Sequence, residues 1–231
     1  MKAVKRMLGL IVIATFAAAG LAAADSIEGV VTLKGKAPAG SKINLGGDKK
    51  CQAARKNKDL MTEDYVTNGD KLQYVLVSVK DAKKGGTKPP KALIDQAGCH
   101  YEPHVFGLMV GQDLEVRSSD PFMHNINATG CKANPGFNLS QPNKGSETKH
   151  FDKPEPAPFK IKCNVHKWMS SWCQVFDHPY FAVTDKDGKF KINGISAGKY
   201  TLVFWHEKAG SKEMKIEVKG TAKANMTLDA K

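Results

Sequence analysis

The chain has 231 residues, with 35 Lys or Arg against 23 Asp or Glu, so its formal net charge is +12 at pH 7. The basic residues are mostly lysines spread along the sequence, with no Arg-rich or aromatic-interleaved block, and this distribution argues against nucleic acid as a partner. The length suits one large domain or two small ones, each with its own hydrophobic core.

The first 24 residues have the pattern of a secretory signal peptide. Basic residues at positions 2, 5 and 6 precede an apolar run, and Ala22-Ala23-Ala24 then provides a cleavage site before Asp25. A permanent membrane anchor is the alternative, but the apolar run is shorter than the about 20 residues that a span requires. We therefore expect cleavage after Ala24, export to a periplasm and no stable membrane insertion afterwards. Removing three of the basic residues in this way leaves a mature charge of +9.

Short runs of alternating hydrophobicity dominate the rest of the sequence. In chain order they include IEGVVTLKG, LQYVLVSVK, FGLMVGQDLEVR, FKIKC, CQVF, KFKING, YTLVFWHE and EMKIEVKG, separated by turns rich in Gly, Pro, Asn and Asp. Period-two alternation is typical of half-buried strands, and strands at this spacing predict an all-β sandwich or barrel. We also expect a short helix within residues 51–63, a linker over 83–90 and long loops over 127–158.

The two ends of the chain share a further pattern. Residues 27–38 read IEGVVTLKGKAP, and residues 183–206 contain a Thr-Asp-x-x-Gly-x-Phe strand followed by a Gly-x-Tyr turn. This pair of motifs resembles the carboxypeptidase regulatory-like (transthyretin-like) β-sandwich, in which the module is structural or adhesive. The resemblance implies a sandwich formed from residues 25–88 and 177–231, with a second domain, residues 89–176, inserted in it or packed on it.

The inserted region contains closely spaced metal donors. The stretch CNVHKWM, residues 163–169, places Cys163, His166 and Met169 three residues apart after the strand FKIKC. His124 lies upstream, after a strand and a Ser-Asp-Pro turn. A thiolate, two imidazoles and a weak thioether are the donor set of a type 1 (blue) copper site.

These motifs resemble those of the cupredoxin family, and the short ligand loop is most similar to that of amicyanin. The matching positions are Pro103, Gly111-Gln112-Asp113, Asp120, His124-Asn125 and Cys163-x-x-His166-x-x-Met169. The resemblance implies a Greek-key β-sandwich over residues 89–176 and one type 1 copper ion. Its implied ligands are His124, Cys163, His166 and Met169. Asn125 is expected to hydrogen-bond across to the cysteine loop and to hold the two ligand segments together.

The odd number of cysteines leaves the disulfide pairing open. If Cys163 binds metal, the other four cysteines allow three pairings. Convergence of the two ligand segments on one ion favours Cys131–Cys173, which leaves Cys51–Cys99. The less favoured alternatives for Cys163 itself are a disulfide, a structural zinc site and a copper-trafficking site, since Cu(I) also prefers Cys and Met.

Two other histidines flank a proline in CHYEPHV. If His100 and His104 lie on one strand, their Cα atoms are about 13 Å apart, at roughly 3.3 Å per residue. We therefore expect surface residues, with a second metal site as the less favoured alternative.

Together these features predict an exported blue-copper protein that carries single electrons between redox partners. A c-type cytochrome or a dehydrogenase with an acidic surface would suit the basic chain. Electrons are expected to leave through the edge of His166, near an apolar patch formed by Pro121, Phe122, Met123 and Trp168. Because all four coordination positions are filled, we predict that the protein is not an enzyme. The alternatives are a periplasmic copper-binding or trafficking protein and an envelope scaffold.

Overall fold

The computed structural model describes residues 25–56, 58–80 and 82–231, so the predicted signal peptide lies outside the described residues. Nearly every regular element is a strand, and the predicted all-β sandwich class is confirmed. One short helix, α1 (Lys49–Ala54), begins slightly before the segment expected to contain it, because the side chain of Asp48 caps its first turn. Within the described ranges, no helix is long and apolar enough to cross a membrane.

The strands follow one another as β1 (Ser26–Lys34), β2 (Thr67–Asn68), β3 (Lys71–Leu72), β4 (Leu76–Val79), β5 (Ala92–Gln96), β6 (Tyr101–Glu102), β7 (Val105–Met109), β8 (Leu114–Ser118), β9 (His124–Asn127), β10 (Asn138–Gln141), β11 (Gly145–Lys149), β12 (Phe159–Lys162), β13 (Ser170–Phe176), β14 (Phe181–Val183), β15 (Lys189–Asn193), β16 (Gly198–His206), β17 (Gly210–Val218), β18 (Thr221–Lys223) and β19 (Met226–Asp229).

The first hydrophobic core is built from both ends of the chain. One of its sheets has the order β15-β1-β3-β2, with β18 and β19 also paired to β1, and the other has the order β14-β4-β16-β17. β1 pairs with β18 at its start and with β19 at its end. Between these two pairings, a Cβ on Gly29 would lie 2.0 Å from the carbonyl oxygen of Ala224, so only glycine permits this close approach.

The second core lies between the sheets β10-β9-β12-β13-β7 and β11-β8-β5-β6. Its strands show the alternation seen in the sequence: in β12, Phe159 and Ile161 are buried, whereas the lysines at 160 and 162 are exposed. A small apolar cluster that includes Leu76, Val105 and Phe176 joins the two cores. The first core thus uses strands from both ends of the chain and the second uses β5 to β13 between them, and the domain organisation with boundaries at residues 88/89 and 176/177 stays a prediction.

Two sequence expectations are wrong in detail. Residues 127–158 are not only loops, because they contain β10 and β11, whose side chains are too polar to give a strong strand pattern. The N-terminal segment does not belong wholly to the first sandwich: Leu45 and Cys51 pack on the second core. A disulfide between Cys51 and Cys99 holds this segment on the second core.

Candidate metal centre

Neighbouring strands bring the predicted ligands together. His124 begins β9, and Cys163 directly follows β12, which pairs with β9. His166 lies in the turn between β12 and β13, and Met169 ends that turn. The amide of Met169 donates to the carbonyl of His166, and the amide of Cys163 donates to the carbonyl of Met169, at 2.9 and 3.2 Å. The loop is therefore held by its own backbone.

The Nδ1 atoms of the two histidine rings face each other. The Nδ1 atoms of His124 and His166 are 3.0 Å apart, and these two side chains and the sulfur of Cys163 each offer a ligand atom within 4.8 Å of the others. Metal–nitrogen bonds of about 2.0–2.1 Å at tetrahedral angles would separate two such nitrogens by about 3.4 Å. The spacing therefore needs little adjustment to accept one ion.

Carboxylates hold the far side of each imidazole. The Nε2 atom of His124 is 2.8 Å from an oxygen of Asp120, and Nε2 of His166 is 3.4 Å from an oxygen of Asp48. Asp120 is in turn anchored by backbone amides, including that of Cys99 at 2.8 Å. A carboxylate at Nε2 keeps the proton there and leaves the Nδ1 lone pair free for a metal.

The electrostatics of the cluster favour a thiolate. Burial raises the pKa of Cys163, but hydrogen bonds from His124 and from backbone amides, including that of His166, outweigh this and lower it. Burial lowers the pKa of His124, whereas Asp120 and Cys163 raise it, with a net upward shift. The pKa of His166 is lowered by burial and by the charge of His124. The lowered pKa values of Cys163 and His166 favour the thiolate and the neutral imidazole that metal ligation requires, whereas His124 must release its extra proton when a metal binds.

Asn125 links the two ligand segments. Its side-chain oxygen accepts a hydrogen bond of 3.2 Å from the amide of Asn164, the residue after Cys163. Its side-chain nitrogen donates to the carbonyl of Leu139 on β10, at 2.8 Å. This contact runs across to the cysteine loop in the manner expected from the sequence.

The cysteines only partly follow the expected pairing. Cys51 and Cys99 are bonded, with Cα atoms 5.5 Å apart, as predicted. Cys131 and Cys173 are both free, so the second predicted disulfide is wrong in this structure. The thiol of Cys131 is held within its own loop, where it lies 3.2 Å from two backbone carbonyl oxygens, and Cys173 is fully buried in β13.

The outer edge of His166 is not exposed, contrary to the sequence expectation. The residue is only 5% exposed, because Asp48 at the start of α1 and the Cys51–Cys99 disulfide lie against its ring. The disulfide therefore holds α1 against His166, the residue through which the sequence predicted electron transfer to a partner. Sequence spacing contained no signal for this contact, since Asp48 is 118 positions from His166.

His100 and His104 are also not the separate surface residues that were expected. β6 is only two residues long, so the chain bends between the two histidines. His104 is 5% exposed, and both imidazoles lie beside Glu63, with His100 Nε2 at 2.6 Å and His104 Nδ1 at 3.2 Å from the same carboxylate oxygen. Glu63 and Glu207, which contact His104 from either side, were not identified from the sequence.

Neither a family model nor a curated protein matches the sequence. Among solved structures, the chain is similar to a copper-containing nitrite reductase from Thermus scotoductus SA-01, with 16% identity and a TM-score of 0.35 over 43% of this chain and 25% of that one. It is also similar to a Cu(I) form of an amicyanin mutant, with 12% identity and a TM-score of 0.32, and to an oxidised amicyanin mutant, with 13% identity and a TM-score of 0.33. Each alignment with amicyanin covers 43% of this chain and 98% of that protein.

The chain spans only about a quarter of the nitrite reductase, so the activity of that whole protein is not transferred to this one. Its presence among the similar structures nevertheless contradicts the prediction that the protein is not an enzyme. That prediction considered only one copper site. A filled coordination sphere at this site does not prevent catalysis elsewhere in the protein. The assignment of the metal ligands rests on the contacts within this chain.

Proposed function

We propose that the protein is an exported electron-transfer protein with one type 1 copper ion held by His124, Cys163, His166 and Met169. The observation that carries the proposal is the pair of Nδ1 atoms 3.0 Å apart, beside a buried thiol. The carboxylates at both Nε2 atoms support metal ligation over an ordinary hydrogen bond, because they hold the protons on the far side of the rings.

The donor chemistry of these residues fits copper better than zinc. Zinc prefers four strong N, S or O donors, whereas the fourth donor here would be the thioether of Met169, a soft and weak ligand. Met169 is fully buried in the loop that also contains Cys163 and His166. When bound, copper supplies a one-electron couple between Cu(II) and Cu(I).

The protein's own contribution is a site that resists rearrangement. His124 and Met169 are fully buried, and Cys163 and His166 are at most 5% exposed, so water has little access to the ligands. Asn125 and Asp120 fix the positions of the two ligand segments through hydrogen bonds that do not involve the ligating atoms. Such fixed ligands accommodate both oxidation states with little movement, which suits electron transfer.

We further propose that a redox protein docks beside the ligands rather than on the covered edge of His166. Met123 and Val165 each precede a proposed histidine ligand by one residue, and they are 43% and 50% exposed. The positive charge of the mature chain favours an acidic partner, such as a c-type cytochrome or a dehydrogenase, through charge steering. Weak redox encounters use small interfaces of this kind.

Retention of copper through redox cycles tests this proposal against copper trafficking. The copper-loaded mature protein is reduced and reoxidised repeatedly while it is dialysed against a Cu(I) chelator. We expect one copper ion per chain to remain after several cycles. Loss of the metal on the first reduction would favour trafficking and would contradict electron transfer as the function.

Met169→Leu provides a matched variant for the axial position, because it nearly conserves side-chain volume. We expect this variant to retain copper and to shift the reduction potential, since the weak axial ligand tunes the potential rather than the affinity. An unchanged potential would exclude Met169 from the ligand set.

A further inference from the structure

A second cluster of histidines and carboxylates lies in a cavity of about 190 Å³ beside the first site. Its members come from distant parts of the chain: Glu63 precedes β2, His100 and His104 flank β6, and Glu207 follows β16. The ring of Trp168 forms part of the wall, and the same ring lies 5.1 Å from that of His166. The indole ring of Trp168 therefore lies between the two sites.

One carboxylate oxygen occupies the centre of this cluster. Oε2 of Glu63 is 2.6 Å from Nε2 of His100 and 3.2 Å from Nδ1 of His104. The hydroxyl of Tyr74 donates to the other oxygen of Glu63, at 3.3 Å. Two imidazole nitrogens thus lie next to one carboxylate oxygen, and all three are of the atom types that bind metal ions in proteins.

Glu207 orients His104 from the opposite side. It bonds Nε2 of His104 through one oxygen and accepts a hydrogen bond of 3.0 Å from the indole of Trp172 through the other. Nδ1 of His104 is buried and has no hydrogen-bond partner, although it lies within ion-pair distance of Glu63. A buried polar atom without a hydrogen-bond partner requires an explanation, and a bound ion is the one that the neighbouring imidazole and carboxylates favour.

We propose that Glu63, His100 and His104 bind one divalent transition-metal ion, with Glu207 as the residue that positions His104. The ion would lie between the imidazoles, and both Glu63 and the partly exposed His100 would shift to bring their ligand atoms within bonding distance of it. Two nitrogens and a carboxylate, without a thiolate, suit Zn²⁺ and divalent ions of similar softness and do not favour Cu(I). The remaining coordination positions face the cavity.

Cobalt binding to the mature Cys163→Ser protein tests the inference, because this background lacks the thiolate of the first site. Equilibrium dialysis against Co²⁺ is expected to give one bound ion per chain. His100→Ala and Glu63→Gln should each weaken binding at least tenfold, and Glu207→Gln should weaken it about 10- to 100-fold through the orientation of His104. His150→Ala is the matched control, because His150 is an exposed histidine that also pairs with a carboxylate.

Circular dichroism and urea unfolding establish that each variant is folded before binding is measured. His100 is partly exposed, so its truncation threatens the fold least. No bound Co²⁺ in the parent protein, or binding that His100→Ala and Glu63→Gln leave unchanged, would overturn the inference. In the otherwise wild-type protein, His100→Ala should leave copper binding at the first site intact, so the failure of one site is distinguishable from the failure of the other.

Discussion

Replacing His104 with Gln removes a buried charge that lies between carboxylates from two different parts of the chain. Glu63 belongs to the N-terminal segment and Glu207 to the C-terminal half of the first sandwich, whereas His104 belongs to the second. Gln retains an Nε2–H group that can donate to Glu207, but it cannot become charged. The substitution therefore isolates the electrostatic contribution of this contact in the metal-free protein.

Burial lowers the pKa of His104, but its hydrogen bond to Glu207 and the negative charges of Glu63 and Glu207 outweigh this effect and raise the pKa to about 9. The unfolded chain has a histidine pKa of about 6.5. Between these values the folded protein keeps a proton that the unfolded chain loses, so the stabilisation is complete below pH 6.5 and is lost as the pH rises to about 9. The difference corresponds to about 3 kcal/mol in the free energy of unfolding.

Urea unfolding in the presence of a chelator, at several pH values from 6 to 10, measures this contribution. Lysines and free thiols titrate in both proteins, so only the difference between wild type and His104→Gln is informative. We expect the free energy of unfolding of wild type to exceed that of the variant by about 3 kcal/mol more at pH 6 than at pH 10. Curves that stay parallel over this range would refute the assignment of a charged His104.

Three further predictions concern the stability of the fold. Burial lowers the pKa of His206 to about 4, so stability should fall by about 3 kcal/mol as the pH drops from 6.5 to 4, and His206→Asn should flatten this limb in urea unfolding. Glu155 accepts hydrogen bonds from three consecutive backbone amides, and Glu155→Ala should cost about 3 kcal/mol, measured by urea unfolding at pH 7. Gly29→Ala should cost about 3 kcal/mol or more in the same assay because its Cβ would overlap a carbonyl oxygen, whereas Gly145→Ala, with open space around it, should be nearly neutral.

Each of these three predictions has a specific contrary result. If the free energy of unfolding decreases equally steeply below pH 6.5 in wild type and His206→Asn, His206 is not the cause of the acid destabilisation. A loss below about 0.5 kcal/mol in Glu155→Ala would mean that water replaces the carboxylate at the amides. Equal stability of the two glycine variants would refute the close approach between β1 and the connection from β18 to β19.

The proximity of the proposed ligands was largely predictable because most of them are local in sequence. Cys163, His166 and Met169 share one turn, and His124 follows a strand whose pattern is clear, so spacing and donor chemistry sufficed to bring them together. The contact of Asp48 with His166 was not predictable. It depends on a helix whose position is fixed by a disulfide to Cys99, and the pairing of cysteines does not follow from sequence alone.

The errors elsewhere have a common physical cause. The distance assigned to His100 and His104 assumed one continuous strand, whereas β6 ends after two residues and the chain bends. Likewise, the segment around Cys51 was assigned to the sandwich of its sequence neighbours, although the disulfide and apolar burial hold it on the second core. Hydrophobic alternation identifies strands and their faces, but it does not show where an irregular segment packs.

The visible absorption spectrum of the mature protein with one equivalent of Cu(II), measured beside Cys163→Ser, tests the central proposal most directly. Cys131→Ser is the matched control, because it removes a free thiol outside the cluster. We predict an intense blue thiolate-to-copper charge-transfer band in wild type and in Cys131→Ser, and its loss in Cys163→Ser. A colourless copper-bound protein, or a band that survives Cys163→Ser, would contradict a type 1 copper centre at this site.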